Sequence, residues 1–375
     1  MAYKPKRPDW VPPSAGSEYT TQIVEGVEGG HDGLRDQTKP AARPPGPRRR
    51  RLTIDEYVQG VLAGDRNVLA QAITLVESNA PAHFEMAQEV LRQLLPHTGK
   101  SIRVGITGVP GVGKSTFIEA LGLHLCEQGR RVAVLAVDPS STVTRGSILG
   151  DKTRMERLAQ DIRAFIRPSP SSGTLGGVTR KSRETLLVCE AFGFDVLLIE
   201  TVGVGQSETT VRSMVDFFLL LMLSGAGDEL QGIKKGIMEL ADGLLINKAD
   251  GDNKIRALGA KAEYNRALHY LAPSTEGWQT RAYTCSAANG EGVHEIWQVI
   301  ELFQAQTQAS GVFEKRRRRQ ILDWVYTMVE EHLRKSFFEH AGVKHIREEV
   351  EHAVVEGHMP PTVAVQTLLK KYEDG

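Results

Sequence analysis

The sequence predicts an α/β fold: a mainly parallel sheet, preceded by a short helical segment and followed by a helical arm. Three observations carry this reading. Between residues 101 and 300, short apolar runs alternate with stretches of helical periodicity, and strands alternating with helices build a parallel sheet covered on both faces. One of those runs, IRVGITG, leads into the glycine-dense stretch GVPGVGKST at 108–116 and then into TFIEALGLHL. On both sides of this region the apolar spacing is helical and not alternating.

Residues 1–52 are rich in Pro, Gly and charge without apolar periodicity, and we read them as a disordered tail. Its arginines raise the matter of a mitochondrial presequence, but such segments are poor in acids. This one contains Asp9, Glu18, Glu25, Glu28, Asp32 and Asp36, so a cytoplasmic location is the expectation, ahead of the mitochondrial matrix. A helical N-terminal domain follows over 53–100. Thr53 with Glu56 has the capping-box spacing, Asp65 is placed to cap a second helix bearing Leu69, Ile73 and Val76, and a third sets Phe84, Ala87, Leu91, Leu94 and Leu95 on one face.

The central domain, 101–305, contains the runs IRVGIT, RVAVLAV, RAFIRP, DVLLIE, DFFLLLML, GLLIN and RAYTCS. In such sheets ligands bind at the carboxyl ends of the strands, which is where the conspicuous motifs fall. From 306 to 375 we expect a helical arm. Ile321, Val325, Met328, Val329, Leu333 and Phe337 form a stripe with no obvious partner in the central domain, which points to dimerisation. The basic run KRRRR at 315–319 reads as a solvated face.

Composition narrows the function. Net formal charge is zero, which argues against a general polyanion binder, so no nucleic-acid partner is expected. The longest apolar run, VDFFLLLML, has strand length, and no membrane span is expected. Cys126, Cys189 and Cys285 lack the pairwise spacing of a metal site and suit a reducing compartment.

The glycine-dense stretch matches G-x-x-x-x-G-K-S, and its place between a strand and a helix gives the match its weight. Across Gly108, Val109, Pro110, Gly111, Val112 and Gly113 the backbone can turn N–H groups toward phosphate oxygens, backed by the helix N-terminus. Lys114 is placed for the β- and γ-phosphates, Ser115 for a metal ion, and Thr116 completes the loop. A nucleoside triphosphate is the expected ligand. The base is read from NKAD at Asn247, Lys248, Ala249 and Asp250: an aspartate there accepts two hydrogen bonds from guanine N1 and N2, a pair of donors that adenine lacks. The Lys248 stem is expected to cover the base, and Ser286, Ala287 and Ala288 to bring a backbone N–H to guanine O6. In LLIETVGVGQSE, Glu200 stands where many such enzymes have aspartate, and Gly203 completes the spacing. Glu200 is expected to hold Mg²⁺ and Gly203 N–H the γ-phosphate. Asp138, after AVLAV, and Asp151, in GSILGDKTRM, are further candidates for the metal or its water.

These blocks, with SSGTLGGVT and GAGDELQGIKKGIMELAD, resemble the MeaB/ArgK family of P-loop GTPases, the methylmalonyl-CoA mutase-associated G-protein chaperones. The resemblance spans about 53–375. It implies a helical N-terminal extension, a GTPase domain, a C-terminal arm making a homodimer, and slow Mg²⁺-dependent hydrolysis. It also implies an adenosylcobalamin-dependent mutase as partner, whose cofactor loading and protection follow nucleotide state. By position it assigns phosphate, metal and switch roles to Lys114, Ser115, Asp138, Asp151 and Glu200. Gln231 and Lys234, in GDELQGIKKG, become a partner-responsive loop, and a cation supplied on partner binding can accelerate such hydrolysis by about 10³–10⁵. Three other functions compete with this reading: a metallochaperone GTPase, disfavoured by eleven scattered histidines, a kinase or ATPase tied to basic amino-acid transport, disfavoured by NKAD, and a non-catalytic, nucleotide-gated scaffold.

Overall fold

A computed structural model of the chain describes residues 52–137, 154–168, 175–201, 207–225 and 234–374. Residues 53–375 form one compact unit. Its centre is a seven-stranded sheet in the order β3-β2-β4-β1-β5-β6-β7. The strands are β1 (Ile102–Gly108), β2 (Val132–Val137), β3 (Ala164–Arg167), β4 (Val196–Thr201), β5 (Phe217–Met222), β6 (Gly243–Ile246) and β7 (Ala282–Thr284). Each coincides with one of the seven predicted runs, β1 and β4 ending one residue beyond theirs, and every neighbouring pair is parallel. β1, β2, β4 and β5 are apolar almost without interruption because helices cover both faces of the sheet.

The N-terminal segment supplies α1 (Ile54–Leu62), α2 (Arg66–Glu77) and α3 (Pro81–Leu94). Thr53 and Glu56 close the capping box, with Thr53 N–H donating to Glu56 Oε2 at 2.8 Å. Asp65 Oδ1 accepts from the N–H groups of Asn67 and Val68. The apolar faces of these helices bury Val61, Leu69, Ile73 and Leu94 in one core with Leu135, Phe192, Leu197 and Phe218. They therefore cover one face of the sheet, together with α6 (Leu175–Phe192). Two expected members of the α3 face are instead outward. Ala87, Val90, Leu91 and Leu94 make the buried stripe, whereas Phe84 lies outside it with the Arg180 guanidinium 5.5 Å from its ring centre. Leu95, beyond the last helical residue, begins a 3-10 turn with Pro96 and is half exposed.

The opposite face is covered by α4 (Lys114–Glu127), α5 (Glu156–Gln160) and α10 (Val293–Ala309), whose Phe117, Leu121, Leu158, Trp297 and Phe303 pack with Val104, Ile106 and Phe217. α7 (Ser207–Arg212), α8 (Lys234–Leu240) and α9 (Lys254–His269) connect β4 through β7. The chain ends in α11 (Val312–Glu339), α12 (Ala341–Val355) and α13 (Pro361–Glu373). On α11, Ile321, Val325, Val329 and Leu333 are exposed, while Met328 and Phe337 are half-buried. Phe337 meets Tyr372 of α13 with ring centres 5.2 Å apart.

The basic run corrects the expectation of a solvated face. Lys315, Arg318 and Arg319 do face solvent, but Arg316 and Arg317 turn inward with Phe313 and Gln320. Positions 313, 316, 317 and 320 lie on one side of a helix, and that side meets two buried aspartates.

Candidate functional site

The site is assembled where β1, β4, β5 and β6 end. β1 stops at Gly108 and α4 begins at Lys114. Gly108, Gly111 and Gly113 between them have φ of +150°, +77° and +92°, which side chains with a Cβ rarely adopt. Two of these positions also lack room. A Cβ on Gly108 would stand 2.5 Å from the Leu221 carbonyl oxygen, and one on Gly113 would stand 2.7 Å from Asn247 Nδ2. The glycines thus let the loop lie against β5 and against the NKAD segment. Pro110, Gly111 and Thr116 are exposed, Val112 is buried, and Val109, Gly113, Lys114 and Ser115 are half-buried.

Lys114 Nζ donates to the carbonyl oxygens of Gly108 at 2.8 Å and Val109 at 3.4 Å. Burial pushes its ammonium below the usual lysine range, opposed by the Glu200 and Glu208 carboxylates. Glu208, in α7, is itself 1 % exposed; it closes the block LLIETVGVGQSE, in which the spacing assigns it no role. Ser115 Oγ donates to Glu200 Oε1 at 3.1 Å, so the first turn of α4 and the end of β4 place a hydroxyl and a carboxylate together. Thr201 Oγ1 donates to Thr107 Oγ1 at 2.9 Å and pins the two strand ends.

At the base end, Asn247 is buried and acts as a crossbar. Its Nδ2 donates to the Val112 carbonyl at 2.8 Å, and its Oδ1 accepts from Ala287 N–H at 3.1 Å. One side chain therefore joins the phosphate loop to the Ser-Ala turn. Lys248 takes the left-handed φ of +59°, and its Cε approaches the Cβ position of Gly113 at 4.0 Å, so its stem lies beside the loop. Asp250 is exposed and its side chain makes no capping bond. Ser286 N–H donates to the Glu291 carbonyl and Ala287 N–H to Asn247. Among the described residues, the Ala288 N–H is the one of the three without such a bond.

The structure brings together Gly108 through Thr116, Glu200, Asn247, Lys248 and Asp250. Asp138, Asp151, Gly203 and Gln231 lie outside the described residues. β2 ends at Val137 opposite Thr201 of β4. Lys234 is the first residue of α8.

A glycine-rich loop leading from a central parallel strand into a helix, with lysine and serine opening that helix, defines a P-loop nucleoside triphosphatase. Comparison with known proteins specifies which. Residues 69–342 match the family model described as methylmalonyl-CoA mutase-associated GTPase MeaB, and the chain belongs to that family of GTPases. It is 52% identical over 318 residues to a probable GTPase of Mycobacterium tuberculosis, covering 85% of this chain and 95% of the relative. It is 50% identical over 286 residues to the GTPase ArgK of Escherichia coli, covering 76% and 86%. The mouse protein named methylmalonic aciduria type A homolog, mitochondrial, is 46% identical over 330 residues, covering 85% and 80%. A crystal structure titled LAO/AO transport system kinase superposes with a TM-score of 0.70 at 40% identity, covering 85% of this chain and 97% of that one. The chain is accordingly a GTP hydrolase. No helix among the described residues is long and apolar enough to cross a membrane.

Proposed function

We propose that this GTPase serves as a nucleotide-gated chaperone of an adenosylcobalamin-dependent methylmalonyl-CoA mutase, controlling cofactor loading and protecting the mutase from inactivation. The family description supports the partner. The pairing of Ser115 with Glu200 beside Lys114 carries the catalytic half of the proposal. A hydroxyl and a carboxylate are hard oxygen donors of the kind Mg²⁺ takes, so the residues fit the ion. Ser115 and Glu200 would hold it, with Asp138 and Asp151 as further ligands or water acceptors. Bound Mg²⁺ neutralises charge on the phosphate oxygens.

The rest of the site acts by positioning. Backbone N–H groups of 108–116, Pro110 excepted, and of Gly203 bind phosphate oxygens, and Lys114 exchanges its two loop carbonyls for them. Asp250 accepts from guanine N1 and N2, Lys248 covers the base, and Ala288 N–H is the best-placed donor to O6. The exposed stripe of α11 is proposed as the homodimer contact, because Ile321, Val325, Val329 and Leu333 find no cover among the described residues.

Slow intrinsic turnover leaves room for a partner to supply a missing cation, and Lys234 is our candidate. Single-turnover GTP hydrolysis is measured with and without excess mutase. The mutase is expected to accelerate the parent, while Lys234→Ala keeps its intrinsic rate and GTP affinity but loses most of the acceleration. Equal acceleration of both would remove Lys234 from the mechanism. No acceleration of the parent would remove the mutase as the partner.

A further inference from the structure

At the other end of the sheet, before β5 and β6, two aspartates are fully buried and treated differently. Asp216 is saturated. Arg317 Nε donates to its Oδ1 at 2.8 Å and Arg317 Nη2 to its Oδ2 at 2.6 Å, and Arg103 N–H adds a bond at 2.8 Å. Asp242 Oδ1 accepts from the Ser274 and Thr275 hydroxyls, and its Oδ2 accepts from Phe218 N–H at 3.0 Å. Two guanidinium groups from different elements then share this carboxylate. Arg212 Nη1 of α7 is 3.2 Å from Oδ2, and Arg316 Nη1 of α11 is 3.5 Å from the same oxygen. The Arg212 Nη1 atom is buried and makes no correctly directed hydrogen bond, while its Nη2 donates to Oδ1 at 3.4 Å; Arg316 also donates to the Thr275 hydroxyl and to the Asp216 carbonyl. Both arginine side chains are about 14% or less exposed, and Asp242 is 0% exposed.

Both carboxylate oxygens are already engaged by other donors, each guanidinium reaches them only at 3.2 Å or beyond, and the two cations repel each other. Moving either toward the carboxylate loosens the other. α7 is also the helix that reaches the nucleotide site. It follows β4, which contributes Glu200, after only the residues 202–206. Its Glu208, one turn before Arg212, is buried and acts electrostatically on Lys114. A second tie runs in parallel: Arg183 of α6 donates to the Ser213 carbonyl at 2.8 Å and to the Gln320 carbonyl of α11 at 3.1 Å.

We propose that Arg212, Asp242 and Arg316 are positioning residues that couple the GTPase site to the seating of the C-terminal arm. The guanidinium groups of α7 and α11 compete for one carboxylate, so the placement of α7 under each nucleotide sets how firmly the root of α11 is held. Thermodynamic linkage makes this reciprocal: altering the seat of α11 alters the preference of the site between triphosphate and diphosphate. The inference rests on GTP binding by this site and not on the identity of any partner protein.

The test compares the full-length parent with Arg316→Gln, Arg316→Lys and Arg319→Gln. Arg319 belongs to the same basic run but is exposed beside Asp323. Calorimetry gives the affinity for GDP and for guanosine β,γ-imidotriphosphate, and hydrogen exchange reports on residues 312–320 in each complex. In the parent, exchange at the arm root should differ between the two nucleotides. Arg316→Gln should erase that difference and change the ratio of the two affinities by about fivefold or more. Arg316→Lys, which keeps the charge without the fork, should fall between, and it decides the matter if the Gln variant does not fold. Arg319→Gln should match the parent. The coupling is overturned if the Arg316 variants keep the parent's affinity ratio, or if they weaken both nucleotides equally, as a plain loss of stability would. A parent that binds neither nucleotide would overturn the coupling and the GTPase reading together.

Discussion

The two ends of the central sheet both gather charged side chains, and they satisfy them by opposite means. Around Asp216 the carboxylate is fully paired: Arg317 forks onto it and also donates to the Gly99 and Ser101 carbonyls at 2.6 Å. At the carboxyl ends, Lys114 rests on two backbone carbonyls, and Asp250 stands exposed without a capping bond. A buried ion pair deprived of one partner is strongly penalised, so the amino end behaves as scaffold. The carboxyl end leaves polar groups to be completed by a ligand, and it should yield function without yielding much stability when altered.

The sharpest way to break this contrast is Asp216→Asn. It keeps the shape but leaves the buried Arg317 without its counter-ion, and should cost about 3–5 kcal/mol of stability. Denaturant titration measures it, and a cost near zero would show that the amino end is not scaffold. Lys114→Ala is the mirror experiment. It should lower the hydrolytic rate by about 10²–10³ while shifting stability by no more than about 0.5 kcal/mol. Phosphate release and a melting curve decide, and unchanged turnover would take the loop out of the reaction.

Asp250→Asn separates base from phosphate within the same end. Loss of the paired acceptor should weaken GTP by about 1–3 kcal/mol and shift preference toward xanthosine triphosphate, read by competitive calorimetry. Undiminished GTP affinity would defeat the guanine assignment. The smallest effect belongs to Thr53→Ala, which opens the capping box of α1 and should cost about 1 kcal/mol. Since Thr53 belongs to neither end, nucleotide affinity should not move, and a change there would mean that the N-terminal helices contribute to the site.

What was legible in the sequence follows the range of the interactions. The strands and the phosphate loop are written in local spacing: apolar runs of fixed length, and glycines where φ must be positive. NKAD and the Ser-Ala turn follow apolar runs that fold as β6 and β7, so their place at the strand ends was readable from the same local spacing. Arg316 and Arg317 were misread because five consecutive basic residues look alike on a wet face and on a buried one. The signal that distinguishes them is the side shared with Phe313 and Gln320, and it acquires meaning only beside Asp216 and Asp242, 101 and 74 residues earlier in the chain. Phe84 was misplaced for a similar reason, since helical spacing alone does not say which edge of a stripe the sheet reaches. Glu208 ends the block LLIETVGVGQSE but carried no assigned role, because its burial depends on how α7 returns against β4 and β1.

The Asn247 crossbar bears on the order in which the molecule is made. Val112, Asn247 and Ala287 are separated by 135 and then 40 residues, and a ribosome releases them in that order. A nascent chain that has delivered the phosphate loop carries its glycines and its lysine but nothing to brace Val112. The brace arrives with Asn247 and is itself anchored only when Ala287 emerges. Until then the growing chain lacks the bond that ties the Val112 carbonyl to the segment after β6, so the loop is braced only when the last strand of the sheet is being laid down.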